Sequence, residues 1–124
     1  MLDHLGLPVS DFKSSREFYL KALAPLGYGI EMEFDHGGFG VAGFGKDGKP
    51  SFWISEGQPG PGLHLAFASP NHAAVDAFYA AALAAGAKDN GAPGPRPQYH
   101  PGYYGAFVID PNGYNIEAVC HQPE

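Results

Sequence analysis

This chain of 124 residues lacks the features of a disulfide-stabilised or membrane protein. Cys120 is its single cysteine, so no internal disulfide can form, and this favours a reducing compartment such as the cytoplasm. No apolar run approaches the ~20 residues that span a bilayer, and the N-terminus carries no charged and then apolar signal segment. We therefore expect a cytoplasmic protein with no membrane partner.

Positive charge is also scarce. The chain has 7 Lys and Arg against 13 Asp and Glu, a net charge of -6, which argues against nucleic acid or anionic lipid as a partner. Glycine and proline are plentiful, at 18 and 12 residues, and predict many turns and loops. The length suits one compact domain with its own core.

An internal repeat organises the sequence. At an offset of 60, His4 aligns with His64, Phe18-Tyr19 with Phe78-Tyr79, and residues 22–24 with residues 82–84, without a gap. A repeat of this length is a supersecondary unit that completes its core against its twin. We predict one domain, residues 1–124, of two modules, about 1–57 and about 62–121.

Each module begins with a predicted strand, Leu2–Val9 or Leu63–Ala68, in which apolar residues alternate with others. The alternation places His4 on one face with Gly6 and Pro8, and His64 on one face with Ala66 and Ala68. Small neighbours leave room in front of both imidazoles. The repeat therefore predicts one histidine per module on a cavity wall.

A helix and further strands follow in each module. The first helix is predicted from Asp11 to about Ala24 with Ser10 as its N-cap, and the second has Ser69 as N-cap and Pro70 as its first residue. Turn residues separate the strands that follow, which are predicted near residues 28–34, 38–44, 51–55, 103–109 and 114–119. The order is strand, helix and three strands, twice, an α+β fold.

A loop rich in Gly and Pro, residues 89–102, replaces part of the sixth strand. Long ordered loops in small domains are often functional. This one contains Arg96, Tyr99 and His100. The arginine either binds a substrate carboxylate or phosphate as a bidentate donor, or it is a solvated loop residue.

Two motifs point to a known family. The chain starts with an H-x-x-L-x-V-x-D pattern at residues 4–11 and ends with D-P-x-G-x-x-I-E at residues 110–117. Together with the duplication, these motifs resemble the vicinal oxygen chelate superfamily, which includes glyoxalase I, bleomycin and fosfomycin resistance proteins, and extradiol dioxygenases. The resemblance implies tandem βαβββ modules whose curled mixed sheet surrounds a cleft, and a divalent metal that chelates two adjacent substrate oxygens.

The resemblance also implies the metal ligands: His4, His64 and Glu117. Two imidazoles and a carboxylate suit Zn²⁺, Ni²⁺, Mn²⁺ or Fe²⁺ and leave open coordination positions. The module-one counterpart of Glu117 is Phe52, Trp53 or Ile54, and none of these can bind a metal. Glu117 would then serve as both ligand and base, so typical lactoylglutathione lyase activity is not expected.

Aromatic residues complete the candidate site. Tyr103 and Tyr104 alternate on one strand, and we expect Tyr104 to line the cleft as a catalytic hydrogen-bond donor and Tyr103 to contact the ligand or the core. Trp53 is either core or an aromatic wall of the substrate site, to which Tyr99 also belongs. Glu117 lies mid-strand, either buried with partners or in solvent on an edge strand.

Two functions remain open. The first is a metal-dependent lyase, isomerase or dioxygenase, in which Glu117 and Tyr104 are catalytic. The second is a metal-free small-molecule binding protein of the bleomycin-resistance type, which the aromatic residues and the missing carboxylate favour. The resemblance implies a homodimer, and the site forms either within one chain or across two.

Overall fold

The computed structural model describes residues 3–35, 39–61 and 63–123, so that Leu2 and Gly38, the first residues of two predicted strands, lie outside the described residues. Its elements, in chain order, are β1 (Leu5–Val9), α1 (Phe12–Leu23), a 3₁₀ turn (Ala24–Leu26), β2 (Gly29–Asp35), β3 (Gly40–Lys46), β4 (Lys49–Glu56), β5 (His64–Ala68), α2 (His72–Ala84), β6 (Lys88–Asp89), β7 (Gly94–Pro95), β8 (Tyr104–Ile109) and β9 (Asn115–Cys120).

The strands form two mixed sheets with matching topology. The first sheet has the order β1-β4-β3-β2, and the second has the order β5-β9-β8-β6, with β7 also paired to β8. The pairs β1–β4 and β5–β9 are parallel, and the other pairs are antiparallel. The predicted α+β fold of two modules is confirmed, with one mixed sheet in each module.

One hydrophobic core runs through both modules. Alternate residues of the central strands face it, including Ile54 in the first sheet and Ile116 in the second, both fully buried. The ring of Phe52 meets that of Phe67 edge to face, with centroids 5.1 Å apart, which joins the two sheets directly. Because the core is shared, neither module completes its packing alone.

The helices begin one or two residues later than predicted. Asp11 and Asn71 are the N-caps, and their side chains accept hydrogen bonds from the amides of Ser14 (3.2 Å) and Ala74 (2.8 Å). The predicted caps Ser10 and Ser69 are wrong because both hydroxyls are engaged elsewhere. Ser10 donates to Asn112 Oδ1 at 3.1 Å, and Ser69 donates to the carbonyl of Asn71 at 2.8 Å.

The turn at residues 110–114 ties the second module to the first. Asn112 Nδ2 donates to Ser15 Oγ on α1 at 2.9 Å, and the hydroxyl of Tyr19 donates to Asp110 Oδ2. Asp110 Oδ1 accepts the amide of Tyr114 at 2.8 Å, which closes the turn. Burial raises the pKa of Asp110. The D-P-x-G motif therefore has a structural role as a clamp between the modules.

Neither α1 nor α2 is long and apolar enough to cross a membrane, within the residues that the structure describes.

Candidate functional site

The second sheet carries a polar group on the face that points away from the core. Register places Ala66 beside Glu117 and Glu117 beside Phe107, so these three side chains share that outer face. Their neighbours Ile116 and Ala118 face the core. Glu117 lies on the central strand β9 and is only 2% exposed, so the alternative of a solvent-exposed edge residue is excluded.

Glu117 has two partners, His64 and Tyr103, and we refer to these three residues as the Glu117 cluster. His64 Nε2 lies 3.0 Å from Glu117 Oε1, and the hydroxyl of Tyr103 donates to Oε2. A buried carboxylate is costly unless its oxygens are paired, and here both of them are. Burial, and then the neighbouring Glu117, raise the pKa of Tyr103 well above its ordinary value, so its hydroxyl remains a donor.

Gly105 makes the contact between Tyr103 and Glu117 possible. A Cβ at this position would lie 3.1 Å from Glu117 Oε2 and 3.2 Å from Tyr103 Cε1. Sequence reasoning did not select Gly105, although a glycine inside a strand is a signal for such close approach. It also missed the carbonyl of Asn115, which lies 3.2 Å from His64 Nδ1.

Tyr104 lies on the other face of β8. Register pairs it with Cys120, its hydroxyl donates to Asp76 Oδ1 on α2 at 2.6 Å, and its ring stacks on His72. The expectation that Tyr104 rather than Tyr103 faces the site is therefore wrong in orientation. Because residues alternate along a strand, the two tyrosines must point to opposite faces. Only the packing of α2 decides which of them faces the helix and which faces Glu117.

Arg96 holds the loop to which it belongs. Its guanidinium donates to the carbonyls of Gly94 (2.9 Å) and Ala92 (2.8 Å) and lies over the ring of Phe107, 5.5 Å from the ring centroid. These contacts occupy donors that were predicted to bind a substrate anion. Tyr99, in the same loop, is 57% exposed and meets the edge of Tyr103.

Trp53 is the module-one counterpart of Glu117. Gly6 pairs with Trp53 in the same register in which Ala66 pairs with Glu117, which decides among the three positions left open by the sequence. The Trp53 ring is parallel to that of Phe34, with an interplanar angle of 4° and centroids 6.3 Å apart. A Cβ at Gly43 would lie 2.8 Å from Trp53, so this glycine leaves the space for the indole.

The outer face of the first sheet therefore carries an apolar group. We call this group the Trp53 face; it consists of the side chains of Met32, Phe34, Val41 and Trp53. Met32 and Phe34 are each 43% exposed. Large exposed apolar side chains grouped on one face mark an interaction surface.

His4 does not join the Glu117 cluster. Its Nδ1 lies 2.8 Å from Asp3 Oδ2, and Lys49 donates to the other oxygen of Asp3 at 2.7 Å. The hydrogen bond from Lys49, and then that from His4, lower the pKa of Asp3 to about 2. His4 also lines a cavity of about 360 Å³ that reaches Leu65 and Ala66 of β5. Over residues 3–35, 39–61 and 63–123, no three His, Cys, Asp or Glu side chains are close enough to hold a metal.

Comparisons with known proteins identify the family to which this chain belongs. The model of the Glyoxalase/Bleomycin resistance protein/Dioxygenase superfamily matches residues 1–118, and the chain belongs to that superfamily. A crystal structure of a glyoxalase/bleomycin resistance protein from Albidiferax ferrireducens T118 is 30% identical, covers 97% of this chain and 98% of its own, and superposes with a TM-score of 0.79. No curated protein is similar enough to match.

Two further solved structures share the fold. A glyoxylase/bleomycin resistance protein/dioxygenase domain from Frankia sp. EAN1pec has 19% identity and a TM-score of 0.73 over 97% of this chain and 96% of its own. Glyoxalase I from Zea mays has 21% identity and a TM-score of 0.72, and the match covers 96% of this chain and 45% of the maize protein.

The Glu117 cluster fits two positions of a divalent metal site. The carbonyl of Asn115 can only accept, so His64 Nδ1 donates to it, and a neutral imidazole then has its lone pair on Nε2. The hydrogen bond between Nε2 and Glu117 Oε1, which are 3.0 Å apart, needs a proton, and a metal ion that replaced this proton would be held by the Nε2 lone pair and the carboxylate oxygen. Imidazole nitrogen and carboxylate oxygen are both donors that such an ion accepts. A backbone carbonyl that fixes the second nitrogen is the usual support of a ligating histidine.

Proposed function

We propose that the protein is an enzyme of the glyoxalase superfamily that acts on a small molecule with two adjacent oxygens, with a divalent metal held by His64 and Glu117. The observation that carries the proposal is the alignment of His64 Nε2 with Glu117 Oε1, 3.0 Å apart on a buried carboxylate. His4 is the third ligand in this proposal. Zn²⁺, Ni²⁺, Mn²⁺ and Fe²⁺ all accept such a donor set.

The bound metal supplies a Lewis acid that stabilises negative charge on substrate oxygen. The chain's own residues do the rest. Tyr103 holds one oxygen of Glu117, which leaves Oε1 directed at His64. Trp53 stands where a second carboxylate would be, so module one supplies no counterpart to Glu117 as a base. The proposed reaction therefore differs from that of a site with two carboxylates.

We further propose that the site is completed in a homodimer. Among the described residues of one chain, His4 forms no three-ligand group with His64 and Glu117, and Met32 and Phe34 of the Trp53 face are exposed. A second copy that places its Trp53 face against the Glu117 cluster covers the apolar side chains. It also adds an aromatic wall and brings the partner copy's first-module histidine toward the two ligands. The substrate then binds between the outer faces of two different sheets.

Metal titration of the wild type tests the proposal. Mn²⁺ added to metal-free protein at 100 times its Kd should stabilise the fold by about 2.7 kcal/mol, read as a rise in Tm. His64→Ala and Glu117→Gln should each abolish the rise. His72→Ala, a histidine on α2 outside the Glu117 cluster, should retain it. An equal response in all four proteins, or none with Mn²⁺, Zn²⁺, Ni²⁺ or Fe²⁺, contradicts the proposal.

The Trp53 face favours a second candidate, a metal-free binding protein. Parallel rings of Phe34 and Trp53 form a platform for a planar ligand, and the net charge of -6 suits a cationic one. Trp53 is the single tryptophan, so its fluorescence reports on this face alone. In this alternative, bleomycin quenches Trp53 in the wild type and equally in the His4→Ala, His64→Ala double variant. Loss of quenching in the double variant favours the metal-dependent function.

A further inference from the structure

A second pair of imidazoles lies outside the Glu117 cluster. His100 Nε2 is 2.9 Å from His121 Nδ1, and the two residues come from the loop before β8 and from the segment after β9. His100 is half-buried and His121 is exposed, so solvent reaches the pair. No role for either histidine follows from the proposed function.

The backbone holds the two segments together before any ligand arrives. Tyr104 pairs with Cys120 at the ends of β8 and β9, which brings the preceding loop beside His121. Gly102 has a φ of +87°, and a Cβ there would lie 3.2 Å from the carbonyl oxygen of His121. The ring of Tyr103 meets both imidazoles edge to face, at 5.2 Å from His100 and 5.3 Å from His121. The two segments that carry His100 and His121 therefore need little further ordering when a ligand binds.

Hydrogen bonding also fixes the tautomer of His100. Its Nδ1 lies 2.7 Å from the carbonyl of Pro101, which can only accept, so Nδ1 carries the proton and Nε2 has the lone pair. His121 can expose a lone pair on Nδ1 as its other neutral tautomer. Two neutral imidazoles then offer one lone pair each, so both nitrogens can bind a metal ion in place of their mutual hydrogen bond, and no net proton is lost from the pair.

The separation of the two nitrogens allows both to bind one metal ion, and ligand chemistry selects among metals. At a metal–nitrogen distance of about 2.1 Å, a tetrahedral angle requires nitrogens about 3.4 Å apart, whereas about 2.9–3.0 Å corresponds to the 90° angle of a tetragonal site. The observed 2.9 Å is the length of the hydrogen bond between the two rings, and it is compatible with adjacent positions of a tetragonal site. Square-planar and tetragonal nitrogen sites are typical of Cu²⁺ and Ni²⁺, and Cu²⁺ binds most tightly of the divalent series.

We propose that His100 and His121 form a surface site for Cu²⁺, distinct from the metal site of the proposed function. The two imidazoles bind in adjacent equatorial positions, and water fills the others. The proximity of the two nitrogens and the fixed tautomer of His100 carry this assignment.

The experiment uses tag-free full-length protein with the substitutions His4→Ala and His64→Ala, which remove both histidines of the proposed metal site. Titration with CuCl₂, followed by calorimetry and electron paramagnetic resonance, should give one tight site with two equatorial nitrogens. Adding His100→Ala or His121→Ala should each weaken Cu²⁺ binding by about 100-fold, because the chelate is lost. ZnCl₂ should bind the same background more weakly than CuCl₂.

The matched control is His72→Ala in the same background, a histidine on α2 that contacts the carbonyl of Gln122 rather than the pair. It should leave Cu²⁺ affinity unchanged. Cu²⁺ binding that survives in both the His100→Ala and His121→Ala variants, or a signal with one nitrogen only, overturns the inference. Since the background already lacks His4 and His64, either result leaves the Mn²⁺ test of the proposed function independent.

Discussion

Glu117 shows how a single charged residue can be kept inside a small sheet. Its two oxygens are each matched to one partner, and the partners come from different strands or their flanks. The sequence could predict that Glu117 needs partners, because a mid-strand carboxylate is costly to bury alone. It could not predict that Tyr103 is one of these partners, because the sequence pattern does not distinguish Tyr103 from Tyr104. The packing of Tyr104 against α2 decides between them.

Removing the hydroxyl of Tyr103 tests that pairing. Tyr103→Phe leaves Glu117 Oε2 without its donor in a position that water hardly reaches, so we expect the free energy of unfolding to fall by about 1–3 kcal/mol. Urea denaturation measures the loss. Tyr99→Phe, which removes the same group from a residue that is 57% exposed, should change stability by less than about 0.5 kcal/mol. Equal losses in the two variants would mean that the hydrogen bond to Glu117 contributes nothing.

Strands and helices were more predictable than their ends. The existence of both helices and of the strands on either side follows from apolar spacing and turn residues. The caps moved to Asp11 and Asn71 because the serines before them found tertiary partners or bonded the next turn. The sixth strand, reduced to the two-residue elements β6 and β7, follows from the Gly and Pro content of residues 89–102.

Within the first sheet, Gly45 lies so close to a neighbouring backbone that no side chain fits at this position. A Cβ at Gly45 of β3 would lie 1.9 Å from the carbonyl oxygen of Lys49, whereas a Cβ at its register partner Gly29 of β2 would meet nothing within 4 Å. We expect Gly45→Ala to destabilise the fold by about 1–3 kcal/mol, because a backbone must shift. Gly29→Ala should stay within about 1 kcal/mol of the wild type. Thermal or urea unfolding compares them, and a harmless Gly45→Ala would show that the β3–β4 bulge can absorb a methyl group.

For the whole molecule, the duplication predicted the topology but not how the site is assembled. Symmetry within the sequence relates His4 to His64. The relative orientation of the outer faces of the two sheets, however, depends on packing in the shared core, which no local sequence pattern encodes. The relation between Trp53 and Glu117 likewise needed the strand register. The family motifs suggested candidate ligand types, and the folded structure separates His4 from His64 and Glu117.

The proposed homodimer has a direct test. Phe34→Glu places a charge on the Trp53 face, so we expect a dimer of the wild type to dissociate to monomers and the proposed metal site to lose its third ligand. Sedimentation velocity at several protein concentrations measures the state. Ala80→Glu, the same kind of change on the exposed surface of α2, should remain dimeric. A wild type that is monomeric throughout, or a Phe34→Glu variant that stays dimeric, would place the interface elsewhere or remove it.

The position of β9 also governs when this chain can fold during its synthesis. The last of the described strands lies between β5 and β8, and the turn just before it clamps α1 near the start of the chain. A ribosome therefore releases the middle of the second sheet after both of its neighbours. Until β9 is released and pairs with β5 and β8, the apolar surfaces of the nascent chain must not contact other molecules.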